Sequence, residues 1–266
     1  MKQCLFFIIL LLCSCTERQI ENELSKQTDP IATSNEIKSL IEKARWGDNV
    51  ASNKLADCYR EGRGVKKDFI GMIAMAGISE KQGGISMDAY FKSLPKDDEY
   101  RRIYEIVDLI SRHHQEPADS IIGKMDKQNN PDLDVIKGID AIEKGDTIGG
   151  KQIIQSAVNK GSSLGILIHC LLEYMDKPEQ DMSYLLRLAE AHPFLYKMIG
   201  DSYRDKKTNR KENNKLAAHY YLKADEYAML PKNGAIWLLS YHEDGGDVQL
   251  SDMDIKRIQK LAGVSK

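Results

Sequence analysis

Apolar residues recur at three-and-four spacing through most of the chain. Ile37, Leu40 and Ile41 mark one such face, and Ile103, Ile106, Val107 and Ile110 mark another. That spacing gathers side chains on one side of an α-helix. No stretch alternates apolar and polar residues with the period of two that a half-buried strand requires. The pattern predicts helices over 35–46, 49–61, 68–82, 87–94, 97–113, 117–127, 132–144, 147–160, 162–175, 180–191, 193–204, 213–229, 231–243 and 250–262. Brief turns marked by Gly, Pro, Asp or Asn separate them, so successive helices are expected as antiparallel neighbours. The expected class is all-α, an α/α solenoid of antiparallel helix hairpins whose parts touch mainly their neighbours.

The first residues follow a different rule. Lys2 carries a positive charge, and Cys4 to Leu12 then run without a polar side chain, the layout of an export signal. A membrane-spanning helix needs about 20 apolar residues, and this run is roughly half as long. Leu12-Cys13-Ser14-Cys15 resembles the lipobox of bacterial lipoproteins. The resemblance implies that residues 1–14 are a signal peptide and that Cys15 is the lipidated first residue of the exported protein. Each buried CH₂ of an acyl chain contributes about 0.8 kcal/mol of anchoring. Residues 15–34, polar and containing Pro30, read as a tether, and 35–266 as the repeat domain. The implied location is the cell envelope, membrane-anchored through the lipid. The outer membrane is the expected site, with its periplasmic or surface-exposed side left open.

Internal repetition is clearest from Ala44 to Gly83. The unit contains Gly47-Asp48, Ala51, Leu55-Ala56, Tyr59, Gly62-Arg63-Gly64-Val65, Asp68 and Gly83. Gly47 and Gly62 stand where a helix ends and a positive φ suits glycine. Asp48 and Asp68 stand where a carboxylate caps the next helix. Small Ala51 and Ala56 allow close helix approach, while Leu55 and Tyr59 fill the interface. A second unit reads Ala191, Leu195, Ile199-Gly200-Asp201-Ser202-Tyr203, then Ala217, Tyr220-Tyr221 and Ala224, with Lys206 and Thr208 where the turn glycines belong. Weaker echoes end in Cys170-Leu171-x-x-Tyr174 and Trp237-Leu238-x-x-Tyr241. Residues 84–145 carry the periodicity without the motif. The two clear units resemble the Sel-one-like repeat of the tetratricopeptide-like group, whose pattern is structural throughout. In the first unit Met72, Met75 and Ala76 occupy positions where that family has alanine and an aromatic pair.

Charge and candidate chemistry narrow the function. Lysine plus arginine number 38 against 40 aspartates plus glutamates, with no basic stripe, which argues against nucleic acid. Once the signal is removed and Cys15 lipidated, Cys58 and Cys170 remain, expected as buried thiols and not a disulfide framework. His113-His114 point about 100° apart on a helix and make a poor metal pair. Asp97-Asp98 and Asp252-x-Asp254 read as helix starts. No nucleophile elbow, phosphate loop or His-Glu-x-x-His is present, so no enzyme, cofactor or metal is expected. The aromatic residues Tyr227, Trp237 and Tyr241 are the candidate binding surface. The expected function is that of a membrane-anchored scaffold or adaptor for a protein partner in the envelope. Capture of a ligand such as a glycan, by aromatics on a concave face, is the alternative. Oligomeric state is left open.

Overall fold

A computed structural model of the protein describes residues 35–111, 115–125, 130–173, 183–205 and 210–264. The signal, Cys15, the tether, His113-His114 and the Lys206 to Thr208 turn lie outside the described residues. Within them the chain is all-helical, and no strand occurs. The helices are α1 (Asn35–Arg45), α2 (Asn49–Glu61), α3 (Phe69–Lys81), α4 (Met87–Ser93), α5 (Glu99–Ser111), α6 (Gln115–Met125) and α7 (Pro131–Glu143). They continue with α8 (Thr147–Asn159), α9 (Ser163–Glu173), α10 (Ser183–Ala191), α11 (Phe194–Asp205), α12 (Arg210–Glu226), α13 (Lys232–Glu243) and α14 (Asp252–Ala262). Each predicted helix is present, with ends displaced by a few residues; the largest slip places α12 one turn earlier than its apolar pattern suggested. None of the described helices is long and apolar enough to cross a membrane.

The local reasons are visible at the ends. Asp48 caps α2 by accepting from the N–H groups of Val50 and Ala51, and α2 stops at Gly62, whose φ is 71°. Gly64 (φ 73°) completes the turn. Asp68 then caps α3 by accepting from the Gly71 N–H. Ser251 and Asp254 form a reciprocal capping box at the start of α14, each satisfying a donor that the first turn leaves open.

The described residues fall into two compact units, 88–173 and 35–87 with 183–264. In the first, α7 and α8 approach so closely that a Cβ on Gly138 would lie 2.8 Å from the Gly150 carbonyl oxygen. Val135, Ile154, Ala157 and Ile168 close the core between α7, α8 and α9. Buried Asp132 accepts from Ser162 Oγ (2.5 Å) and from the Leu164 N–H, joining the start of α7 to that of α9. Phe91 of α4 stacks on Tyr104 of α5 at 4.0 Å.

The second unit is built from both ends of the described chain. Helix α1 packs on α12, and α3 on α11. Asp225 of α12, 2% exposed, accepts from Arg257 of α14 and, at 3.0 Å, from Arg45 of α1. Asp68 and His192, each buried, meet at 2.8 Å across 124 positions. Packing here therefore also joins helices distant in sequence, beside those between sequence neighbours. Its physical cause is these buried polar pairs, which fix α1 to α3 against helices that follow residue 183. Met72 and Met75, the departures from the repeat pattern, are fully buried in α3, where flexible thioether side chains fill irregular space.

Two outcomes follow from buried charge. Replacing Asp225 with Asn removes the buried negative charge that two guanidinium groups share and is expected to destabilise the protein by about 3 kcal/mol, read from the urea midpoint; a loss below about 1 kcal/mol would contradict the tie. Burial lowers the His169 imidazole to about 4 from 6.5, with Lys151 acting in the same direction. The unfolded chain then binds the proton first, so stability is full above pH 6.5 and falls toward pH 4. His169→Gln should flatten that part of a melting-temperature profile against pH.

Candidate functional site

The repeat residues act as packing and turn residues. Ala51, Leu55, Ala56 and Tyr59 are buried in the first unit of repetition, and Ala217, Tyr221 and Ala224 in the second. Gly47 (φ 83°) and Gly83 (φ 86°) hold left-handed turns. The two hairpins solve one steric problem with opposite assignments. In α2–α3 the ring of Tyr59 lies over Gly71, where a Cβ would come within 2.8 Å. In α11–α12 the ring of Tyr221 lies over Gly200, again at 2.8 Å. A buried aromatic ring on one helix thus requires a glycine on its partner. Tyr221 also donates to Asp201 at 2.6 Å. Burial drives the Tyr59 hydroxyl well above its ordinary range, with Asp68 adding to the effect.

A row of tyrosines runs along the α11–α12 hairpin. Tyr196 stacks on Tyr227 with centroids 6.0 Å apart, and Tyr203 on Tyr220 at 5.8 Å. The spacing of seven, along α11 and from α12 into the turn that follows it, brings two pairs into the same antiparallel register. Tyr196 is buried, and its hydroxyl is pushed up to about 12 by burial and then by Tyr227. The other three are half-buried. Burial also raises the Tyr220 and Tyr227 hydroxyls, with Tyr203 and Glu226 as the respective next causes. Exposed Glu190 and Glu226 border the row.

Trp237 and Tyr241 form a separate pair, stacked at 5.1 Å, with Trp237 edge-on to Tyr221 at 5.5 Å. They pack against the core made by Leu238, Leu239, Ile258 and their neighbours. Of the candidate binding residues, Tyr227 therefore belongs to the tyrosine row, while Trp237 and Tyr241 cover a core edge. Tyr196, absent from the sequence candidates, completes the row; its seven-residue spacing from Tyr203 was the available signal.

Titratable groups are engaged in structure. The Cys58 thiol is buried, and burial raises its pKa, which keeps it out of the reactive thiolate form. The Cys170 side chain lies outside the described residues. His192 Nε2 is buried without a hydrogen-bond partner among them. Its pairing with Asp68 was hidden because Asp68 already had a capping role. Asp254 is held below the ordinary carboxylate range by Ser251, opposed by burial and assisted by Arg257. Among the described residues no three His, Cys, Asp or Glu side chains gather as a metal site would. No family model, curated protein or solved structure matches the chain.

The glycine rule gives a paired test. Gly200→Ala places a Cβ against Tyr221, so overpacking of about 1–3 kcal/mol should outweigh a helix-propensity gain of about 1 kcal/mol. Gly77→Ala, with nothing within 4 Å of the new carbon, should instead stabilise by about 0.5–1 kcal/mol. Chemical denaturation of both variants checks the opposite signs.

Proposed function

We propose that this chain is a bacterial envelope lipoprotein, anchored through Cys15, that binds a protein partner through Sel-one-like helical repeats. In this reading the α2–α3 and α11–α12 hairpins are two units of a tetratricopeptide-like α/α solenoid. The ring-on-glycine packing that both hairpins share, with the glycine turn and capping aspartates of the first, supports the family resemblance. The protein acts as a scaffold or adaptor and not as an enzyme.

The tyrosine row is the observation that carries the reading. Tyrosine supplies a large, stiff contact surface with a polar tip, the type of side chain that dominates protein interfaces. The bordering Glu190 and Glu226 favour a partner segment bearing Arg or Lys, which can both pair with carboxylates and lie against ring faces. The bordering carboxylates offer a cationic partner segment a complement that a neutral sugar lacks, which favours the protein partner over sugar capture.

The test is cross-linked affinity capture of the full-length, lipidated protein from native membranes, read by mass spectrometry. Incorporation of labelled palmitate should depend on Cys15 and vanish in Cys15→Ala. A specific envelope protein should be recovered with the anchored chain and lost in Tyr203→Ala/Tyr220→Ala, whose helical circular dichroism is retained. Recovery unchanged by the tyrosine double variant would reject the row as the interface, and labelling that survives Cys15→Ala would reject the anchor.

A further inference from the structure

A cavity of about 390 Å³ lies within the unit formed by 35–87 and 183–264, apart from the tyrosine row. Ile78 of α3, Phe194 of α11, Met229 before α13 and Leu261 of α14 supply apolar walls. Lys81, Lys197, Lys232 and Lys260 line it as well, one each from α3, α11, α13 and α14. No acidic residue does. This concentration of one sign is local, because the whole chain carries a formal charge of −2.

The polar groups of the lining discriminate between ligand classes. Gln82 is already committed: its Nε2 donates to the Ala44 carbonyl at 2.9 Å and its Oε1 accepts from Ser52 Oγ at 2.7 Å. Lys197 pairs with Asp201 at 2.5 Å. Lys81, Lys232 and Lys260 pair with no carboxylate among the described residues. What the cavity still offers is thus ammonium donors around an apolar interior. A neutral sugar or an amide would find few partners there, and a cation would be repelled. An anionic head on an apolar body satisfies both parts.

Size narrows the class. At about 30 Å³ per water-sized group the space holds roughly a dozen non-hydrogen atoms. We infer that this cavity binds a small amphipathic carboxylate, of the size of a medium-chain fatty acid, with its tail between Ile78, Phe194, Met229 and Leu261 and its head among the lysines. The site is independent of the protein-partner reading, so either can fail alone.

Decanoate, decanol and acetate serve as probes in calorimetric titration and thermal shift, using the full-length chain carrying Cys15→Ala in the absence of detergent. One decanoate per chain is expected, with decanol and acetate each at least about tenfold weaker. Lys232→Gln/Lys260→Gln changes only exposed side chains and should weaken decanoate about tenfold while leaving decanol unchanged. Ile78→Trp, shown to be folded by circular dichroism, should abolish the binding. Decanol binding as tightly as decanoate, affinity undiminished in the lysine double variant, or no saturable binding at millimolar decanoate would overturn the inference.

Discussion

The buried carboxylate of Asp225 is the constraint on which the second unit depends. Taking it and Arg257 out of water costs several kcal/mol per ion before any contact is counted, so the arrangement persists only because the acceptor is fully used. Arg257 and Arg45 approach it from α14 and α1. The apolar surfaces around them are nonspecific and would tolerate helices sliding by a turn. The charge triad does not, because a slip leaves the Asp225 carboxylate buried without its counter-charges. Asp68 with His192 imposes a second such condition between the start of α3 and the segment before α11. Together they select one register among many that hydrophobic burial alone would accept.

Much of the helical architecture was legible because its determinants are local. Asp48, Gly62 and Asp68 act within a few residues of themselves, and their turn and capping roles follow from backbone chemistry that a sequence states directly. What was not legible depends on partners far away. A capping aspartate reads the same whether its second oxygen faces water or a histidine 124 positions on. Arg45 at a helix end has an ordinary explanation in the helix dipole, and nothing near it announces Asp225. The close α7–α8 approach was missed for a related reason: Gly138 and Gly150 sit inside helices, where a glycine alone does not reveal which backbone it faces.

The same distinction separates the candidate surfaces. Tyr196, Tyr203, Tyr220 and Tyr227 could be aligned from their spacing once α11 and α12 were paired as a hairpin. The cavity could not. Its four lysines come from four helices, and each is indistinguishable in sequence from a solvated surface lysine. Only the fold makes them neighbours, and only the prior commitment of Gln82 to Ala44 and Ser52 makes their charge the dominant polar feature. Trp237 and Tyr241 illustrate the converse, since an aromatic pair that looks like a binding surface in sequence becomes the cover of a core edge when its neighbours are in place.

That the second unit takes its helices from both ends of the described chain also sets an order of events during synthesis. Residues 88–173 form a compact unit of their own and emerge from the ribosome before α11 to α14 do. The hairpin α2–α3 emerges earlier still, yet Asp68 meets no His192 and Arg45 no Asp225 until much later. Non-local contacts of this kind slow folding, because the loop entropy is lost before the contact rewards it. The first helices made are therefore among the last to reach their final environment, and until then their apolar faces need other cover. The most repeat-like hairpin in the chain is, in time, an unfinished half awaiting its other half.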